Sequence, residues 1–167
     1  MDDNDGQPAP DPIMARIGAA VELGRTGQQT RARDTLTALW EQIGDDGDAL
    51  HRCALAHHLA DLQETTEAEL AWDERALAAL RDLSDERAQE YHHSLQVRGF
   101  LPSLHLNLAD DHRRLGNTDL AHEHLTLARH LVAQLPDDPY GEMIRGGIRH
   151  VTEALGRGFV GHLPAER

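Results

Sequence analysis

Cysteine, aromatic side chains and positive charge are all scarce in this chain. Cys53 is the single cysteine among 167 residues, so no internal disulfide can form, and a reducing, cytoplasmic location is expected. Aromatic residues make up only 4%, which leaves Leu and Ala to build a core. With 16 Lys and Arg against 29 Asp and Glu, the net charge of −13 disfavours nucleic acid and anionic membranes as partners. No apolar run reaches the length of a transmembrane helix.

Motifs of well-known catalytic sites are missing as well. The chain contains neither the phosphate-binding GxxxxGKS/T nor the nucleophile elbow GxSxG. The carboxylate pair Asp110-Asp111 is ordinary for a helix surface. We therefore predict a non-catalytic protein that needs no cofactor. The acidic N-terminus is the opposite of a secretory signal, and the richness in Ala, Leu, Arg and Asp resembles that of actinobacterial proteins.

Helical periodicity runs through nearly the whole chain, whereas no segment alternates as a strand would. Residues 1–11 are predicted to be a disordered acidic tail, 12–157 a helical domain and 158–167 a loose end. Gly99 and Pro102 are expected to separate the fifth helix from the sixth; one long kinked helix over 85–115 is the alternative. The predicted helices cover about 12–26, 29–43, 48–62, 65–82, 85–98, 102–115, 117–134 and 139–156.

The strongest signal is an internal repeat. An alanine preceded by an apolar residue is followed twelve residues later by another alanine, and four residues further on by a large apolar residue. The three copies are Ala20, Ala32 and Leu36; Ala56, Ala68 and Trp72; and Ala109, Ala121 and Leu125. Short polar hinges separate the alanines of each copy, which indicates stacked helix hairpins. About nineteen extra residues precede the third copy, enough for one additional helix.

This pattern resembles the tetratricopeptide repeat, a 34-residue helix pair with small residues where its helices cross. The third copy matches best, with Leu108, Ala109, Gly116, Ala121 and Leu125 on signature positions. The resemblance implies an all-α stack of about three antiparallel hairpins, one extra helix before the third, and a C-terminal capping helix. It also implies that the first helix of each hairpin lines a concave groove. By register, the groove residues expected to recognise a partner are Ile17, Val21, Leu50, Cys53, His57, Asp61, Leu106, Asp110 and Arg114, with Met14 and Ser103 beside them.

Such a groove implies a protein-protein interaction module that binds a partner peptide or helix, or a second copy of itself as a homodimer. The early part of the groove is apolar and the later part mixed in charge, which suits an amphipathic helix or an extended apolar peptide. Tetratricopeptide proteins that hold chaperone C-termini need Lys and Asn where this chain has Ile17, Val21 and Ala54. Recognition of chaperone tails is therefore not expected.

A regulatory sensor for a metal or small molecule is the alternative function. Cys53, His57 and Asp61 follow one another at intervals of four and line up along one helical stripe, about 12 Å from first to last by helix rise. One ion could join two of these residues but not all three, so a buried cysteine and a His–Asp hydrogen bond are the preferred interpretation. Adjacent histidines such as His57 and His58 point about 100° apart on a helix and are not expected to converge unaided.

Overall fold

The computed structural model describes residues 10–91 and 97–164, and within these ranges the secondary structure is entirely helical. The predictions of an all-α chain and of the helix bounds are confirmed to within a few residues for most helices. The helices are α1 (Pro12–Arg25), α2 (Gln29–Ile43), α3 (Ala49–Ala60), α4 (Thr66–Leu80), α5 (Asp85–Tyr91), α6 (Val97–Arg114), α7 (Thr118–Val132) and α8 (Pro139–Gly156). Residues 1–9 of the expected acidic tail lie outside the described residues.

Three pairs of consecutive helices, α1/α2, α3/α4 and α6/α7, pack against each other across short hinges. Gly27 and Gly116 end the first helix of their pairs with φ of 90° and 77°, a left-handed conformation that only glycine adopts without strain. The middle hinge has Gln63 instead, whose amide donates to the carbonyl of Leu59 at 2.7 Å. Thr65 then caps α4 through the backbone N–H of Ala68.

The pairs stack in chain order, because α2 packs on α3, α4 on α6, and α7 on α8. Five of the six repeat alanines are buried: Ala20, Ala32, Ala56, Ala109 and Ala121 are at most 1% exposed, whereas Ala68 is half-buried. Small side chains at these positions let the helix axes approach closely. Helices α2 and α4 meet through Trp40 and Trp72, whose rings pack edge to face with centroids 5.0 Å apart.

The extra helix α5 contacts the N-terminal ends of α1 and α3. Asp11 and Asp48 cap those two helices, each accepting two backbone N–H hydrogen bonds. Arg87 of α5 donates to both carboxylates, at 3.0 Å to Asp11 and 2.7 Å to Asp48, and His51 lies 2.8 Å from Asp11. The hydroxyl of Ser84 caps α5 by accepting from the backbone N–H of Arg87.

Helix α6 differs from the prediction, because it begins at Val97 and continues through Gly99 and Pro102. A proline inside a helix removes one backbone hydrogen bond and weakens the turn before it. The carbonyls of that turn receive side-chain donors here: Tyr140 donates to Gly99 and Ser103 donates to Phe100, each at 2.9 Å. Any break between α5 and α6 would fall within 92–96, outside the described residues.

Helix α8 packs on both α6 and α7, as expected for a capping helix. Ile144, Ile148 and Val151 are buried in the cluster beneath it. The described part of the expected loose end, 158–164, lies against α6. There the buried guanidinium of Arg113 donates to the backbone carbonyls of Phe159 and Gly161. None of the helices in the described ranges has the length and hydropathy of a membrane-spanning segment.

Candidate functional site

A cavity of about 330 Å³ lies among α1, α3 and α6. Most of its walls are aliphatic or aromatic, and its polar atoms come from two histidines, one serine and two tyrosines. The predicted groove residues Met14, Leu50, Cys53, His57 and Ser103 all line it. The remaining lining residues are Ala54, His58, Tyr91, Phe100, Leu104 and Tyr140. This cavity is called the groove cavity below.

A second cavity, of about 190 Å³, lies on the same side of the stack between α1 and α3. The predicted residues Val21 and Asp61 line it together with His58, which also lines the groove cavity. The two cavities therefore meet at α3. Five of the nine residues predicted to recognise a partner border one of them: Val21, Leu50, Cys53, His57 and Asp61.

The other four predicted residues lie elsewhere. Ile17 is 2% exposed and packs in the core with Leu36 and Leu55, because α3 covers that face of α1. Leu106 packs beside the cluster under α8. Asp110 and Arg114 pair with each other at 3.0 Å and with further charged residues, so the structure uses them internally.

Two neighbouring histidines on α3 come closer than expected from helix geometry. The rings of His57 and His58 are 5.3 Å apart, and one ligand atom from each lies within 4.8 Å of an Asp61 oxygen. The two imidazoles therefore do come together here, beside the carboxylate of Asp61, although helix geometry alone would keep them apart. Burial lowers the pKa of His57, but Asp73 and Asp61 outweigh it and hold that pKa above its ordinary value. Burial, with His57 nearby, lowers the pKa of His58 to about 4.

Cys53 does not belong to this histidine group among the described residues. Its side chain is 5% exposed, and burial raises the pKa of the thiol to about 12. A thiolate is the form that binds metal or attacks electrophiles, and an apolar pocket disfavours it. The preferred interpretation of Cys53 as a small buried core residue agrees with this position.

A cluster of carboxylates between α4 and α6 was missed by sequence reasoning. Asp73 and Asp111 are both 0% exposed, so the expectation of an ordinary surface pair fails for Asp111. One oxygen from each lies within 4.8 Å of the other and of a Glu69 oxygen. The Arg114 guanidinium lies 2.7 Å from both Glu69 and Asp111. This group of Glu69, Asp73 and Asp111 is called the acidic cluster below.

Electrostatics within the acidic cluster oppose full ionisation. Burial, together with Glu69 and Asp73, raises the pKa of Asp111 well above its usual range even though Arg114 is adjacent. One oxygen of Asp73 and one of Asp111 have no hydrogen-bond partner in the described structure. Nothing in the sequence around these mid-helix aspartates predicts their burial, because the burial results from the packing of α4 on α6.

Three imidazoles stack between α6 and α7. The His124 ring lies between His105 and His112, with centroid distances of 5.2 and 5.5 Å, and the Nδ1 atoms of His105 and His124 are 3.0 Å apart. Burial lowers the pKa of all three. His105 and His112 are therefore buried in the protein rather than solvated.

Three glycines near the C-terminus have the spacing of a known phosphate-binding motif. Gly156, Gly158 and Gly161 have the GxGxxG spacing of dinucleotide-binding loops. That loop works between a strand and the N-terminus of a helix, where backbone N–H groups face the phosphates. Here Gly156 is the last residue of α8 and the other two glycines follow it, so the glycines lie at a helix C-terminus and do not form such a site.

Comparison with known proteins gives no family for this chain. No protein-family model matches it, and no match was found among curated proteins or solved structures. Any functional interpretation therefore depends on the groove cavity, the histidine group and the acidic cluster themselves.

Proposed function

We propose that this protein is a non-catalytic interaction module, similar in design to tetratricopeptide proteins, whose groove cavity holds a peptide or helix from a partner protein. The observation that carries this proposal is the groove cavity itself. Its walls come from three successive inner helices, so a bound segment would run across the repeat stack. This is the way helical repeat proteins use their concave faces.

The size and chemistry of the groove cavity suit side chains rather than a large cofactor. A volume of about 330 Å³ lies at the small end of ligand pockets and accommodates one or two bulky apolar side chains. Leu50 and Leu104 form a buried apolar floor, while Tyr91 and Tyr140 at the edge are more than a third exposed. Exposed tyrosines beside an apolar pocket are typical of binding hot spots.

Charge indicates the character of the partner segment. With a net charge of −13, the protein attracts basic segments and repels acidic ones over distances of about a Debye length. We expect the segment to combine one or two large apolar anchors with flanking Arg or Lys. Apolar burial would supply most of the affinity, and the charges would accelerate association.

Selection from a displayed peptide library on the immobilised protein tests this proposal. We expect enriched peptides to share an apolar anchor with a basic neighbour. Ala54 lines the groove cavity, so Ala54→Phe should fill it and weaken binding of those peptides at least tenfold. The matched control is Ala78→Phe on the exposed side of α4, which should leave binding unchanged. Equal binding by wild type and Ala54→Phe would contradict the proposal.

A second copy of the chain is the other occupant to consider. Sedimentation equilibrium at micromolar concentration distinguishes the two cases. A dimer that Ala54→Phe dissociates, and that Ala78→Phe leaves intact, would assign the groove cavity to self-association instead. A monomer under all these conditions leaves the peptide as the proposed occupant.

The sensor hypothesis built on Cys53, His57 and Asp61 is less well supported. The thiol of Cys53 is buried and has a raised pKa. Of the three residues, only His57 and Asp61 come together. No observation in the described residues favours this set over the peptide groove.

A further inference from the structure

The acidic cluster contains polar atoms that the described structure does not satisfy. One oxygen of Asp73, one of Asp111 and Nδ1 of His57 are buried without a hydrogen-bond partner. Buried polar atoms are nearly always paired in folded proteins, because an unpaired one costs a desolvation penalty of about 1–3 kcal/mol, and more when charged. Two orphaned oxygens on fully buried carboxylates indicate that a further group belongs in this position.

The local charge balance gives the sign of that group. Four carboxylates meet here, Asp110 and the three of the acidic cluster, against the two guanidinium groups of Arg113 and Arg114. Arg113 and Arg114 both bind Asp110, and Arg114 also binds Glu69 and Asp111. With all four carboxylates ionised, two negative charges are uncompensated, and burial together with this excess raises the pKa of Asp111. His57, 3.9 Å from Asp73, supplies at most one positive charge.

The spacing of the carboxylates fits an ion between them. One oxygen from each of Glu69, Asp73 and Asp111 lies within 4.8 Å of the others. Ligand oxygens lie about 2.0–2.6 Å from Mg²⁺ or Ca²⁺, so opposite ligands of one ion are separated by up to roughly 5 Å. We propose that Glu69, Asp73 and Asp111 bind one divalent cation of the oxygen-preferring class, Mg²⁺, Ca²⁺ or Mn²⁺, between α4 and α6.

The ligand set argues against a zinc site at this place. The three carboxylates are hard donors and the cluster contains no thiolate. Such a ligand set favours Mg²⁺, Ca²⁺ and Mn²⁺ over zinc. The neighbouring histidine group of His57, His58 and Asp61 has the nitrogen donors that zinc prefers, and it lies on α3. The two groups are therefore separable by metal preference and by mutation.

A bound cation would have a structural consequence for the groove. Glu69 and Asp73 belong to the second hairpin and Asp111 to the third, and these hairpins are joined by the irregular segment that contains α5. An ion shared by α4 and α6 would hold the two hairpins at a fixed distance. Loading with cation would then set the spacing of the inner helices that line the groove cavity.

Protonation of a carboxylate is the competing explanation for how the excess negative charge is balanced. A protonated Asp111 could donate to a neighbouring carboxylate, and its raised pKa is compatible with this. The two explanations differ in a measurable way. If protonation alone balances the charge, the protein binds no stoichiometric metal ion and added cation does not stabilise it.

Electron paramagnetic resonance of Mn²⁺ added to untagged, EDTA-treated protein tests the proposal. We expect the signal of free Mn²⁺ to fall by one equivalent per chain, and Mg²⁺ or Ca²⁺ to restore it by competition. Asp73→Asn and Asp111→Asn should each weaken Mn²⁺ binding at least tenfold. The matched control is Glu74→Gln, an exposed residue next to Asp73 on α4, which should bind as the wild type does.

The substitutions are chosen so that the variants remain folded. Asn preserves the shape of Asp and relieves the repulsion between like charges, while Arg114 keeps Glu69 and Asp110 as partners, so the metal-free variants should fold as wild type does by circular dichroism. Glu69→Gln, at a half-buried ligand, is the substitute should either fail to fold. Mn²⁺ should raise the midpoint of wild-type unfolding and leave that of Asp111→Asn unchanged.

Three results would overturn the proposal. The first is wild-type protein that binds no Mn²⁺ at millimolar concentration. The second is binding that survives both Asp73→Asn and Asp111→Asn. The third is binding that His58→Gln abolishes while Asp111→Asn retains it, since that would place the ion in the histidine group.

Discussion

The guanidinium of Arg87 lies 3.0 Å from the carboxylate of Asp11, a residue 76 positions earlier in the chain. Asp11 also caps α1, so one carboxylate serves both a helix terminus and the attachment of α5. The pKa of Asp11 is about 2: burial alone would raise it, but hydrogen bonds from His51, the Met14 N–H and Arg87 outweigh burial. Helix α5 is thus held on the stack by ion pairs as well as by apolar contacts.

Acid should weaken this attachment over a defined pH range. Because the folded pKa of Asp11 is below its unfolded value of 3.8, its stabilising contribution is present above about pH 4 and is lost as pH falls towards 2. Asp11→Asn keeps the helix cap but removes the charge, so we expect a loss of about 1 kcal/mol at pH 7. Urea unfolding at several pH values measures both effects. Asp34→Asn, at an exposed position on α2, should show neither.

Two glycines should respond to alanine in opposite directions. Gly18 lies in the exposed middle of α1 with open space around it, so Gly18→Ala should stabilise the protein by about 0.5–1 kcal/mol. At Gly141, in the first turn of α8, an added methyl group would collide with the backbone carbonyl of Pro136. Gly141→Ala should therefore destabilise by about 1–3 kcal/mol. Thermal unfolding of the two variants compares them, and stabilisation by both would show that α8 begins with more room than described.

The thiol of Cys53 should be nearly inert in the folded protein. It is 5% exposed, and its pKa of about 12 leaves almost no thiolate at pH 8. We expect Ellman's reagent to react at least a hundredfold more slowly with native protein than with protein in concentrated guanidinium chloride. A second thiol placed by Ala78→Cys on the exposed side of α4 provides the matched control and should react at once. Equal rates for both thiols in the native state would contradict the burial of Cys53.

The histidine stack should make the protein less stable as pH falls below neutrality. The folded pKa values of His105 and His124 lie below their unfolded value of 6.5, so their contribution is present above about pH 6.5 and is lost as pH falls through the folded values. His112, the third ring of the stack, lowers the pKa of His124 further, whereas Glu123 on α7 and Glu74 on α4 raise it and partly offset the shift.

His124→Gln removes the central ring and should flatten the pH dependence of the unfolding free energy between about pH 7 and 5. Denaturant titrations in EDTA at three pH values would measure the slope without interference from metal. The exposed His130→Gln on the same helix should keep the wild-type slope. An unchanged slope in His124→Gln would mean that other groups govern the acid response.

Most of the helix bounds could be predicted because they depend on local signals. Pro12 begins α1, Ser84 caps α5, and Gly27 and Gly116 end their helices, each through interactions within a few residues. The repeat of alanines likewise marks helix contacts, since close packing requires small side chains wherever the fold places them. Pro102 misled the prediction because the donors that support α6 around it come partly from Tyr140, nearly forty residues later.

The candidate site was predictable only in part, for a physical reason. Register along one helix identifies which residues share a face, and Leu50, Cys53 and His57, which it assigned to one face, all line the groove cavity. Whether a face stays open depends on which helix covers it, and α3 covers Ile17. Burial of Asp111 likewise arises from the packing of α4 on α6, across an insertion whose geometry the repeat does not specify.

The buried guanidinium of Arg113 gives the last described residues a role that helix patterns do not suggest. Its hydrogen bonds to the carbonyls of Phe159 and Gly161 replace water that this 1% exposed group cannot reach. A chain shortened to end with α8 would leave a cation without two of its acceptors inside the protein. The polypeptide that follows the final helix is therefore part of the folding unit, and fusions or tags are better joined beyond residue 164 than at the helix end.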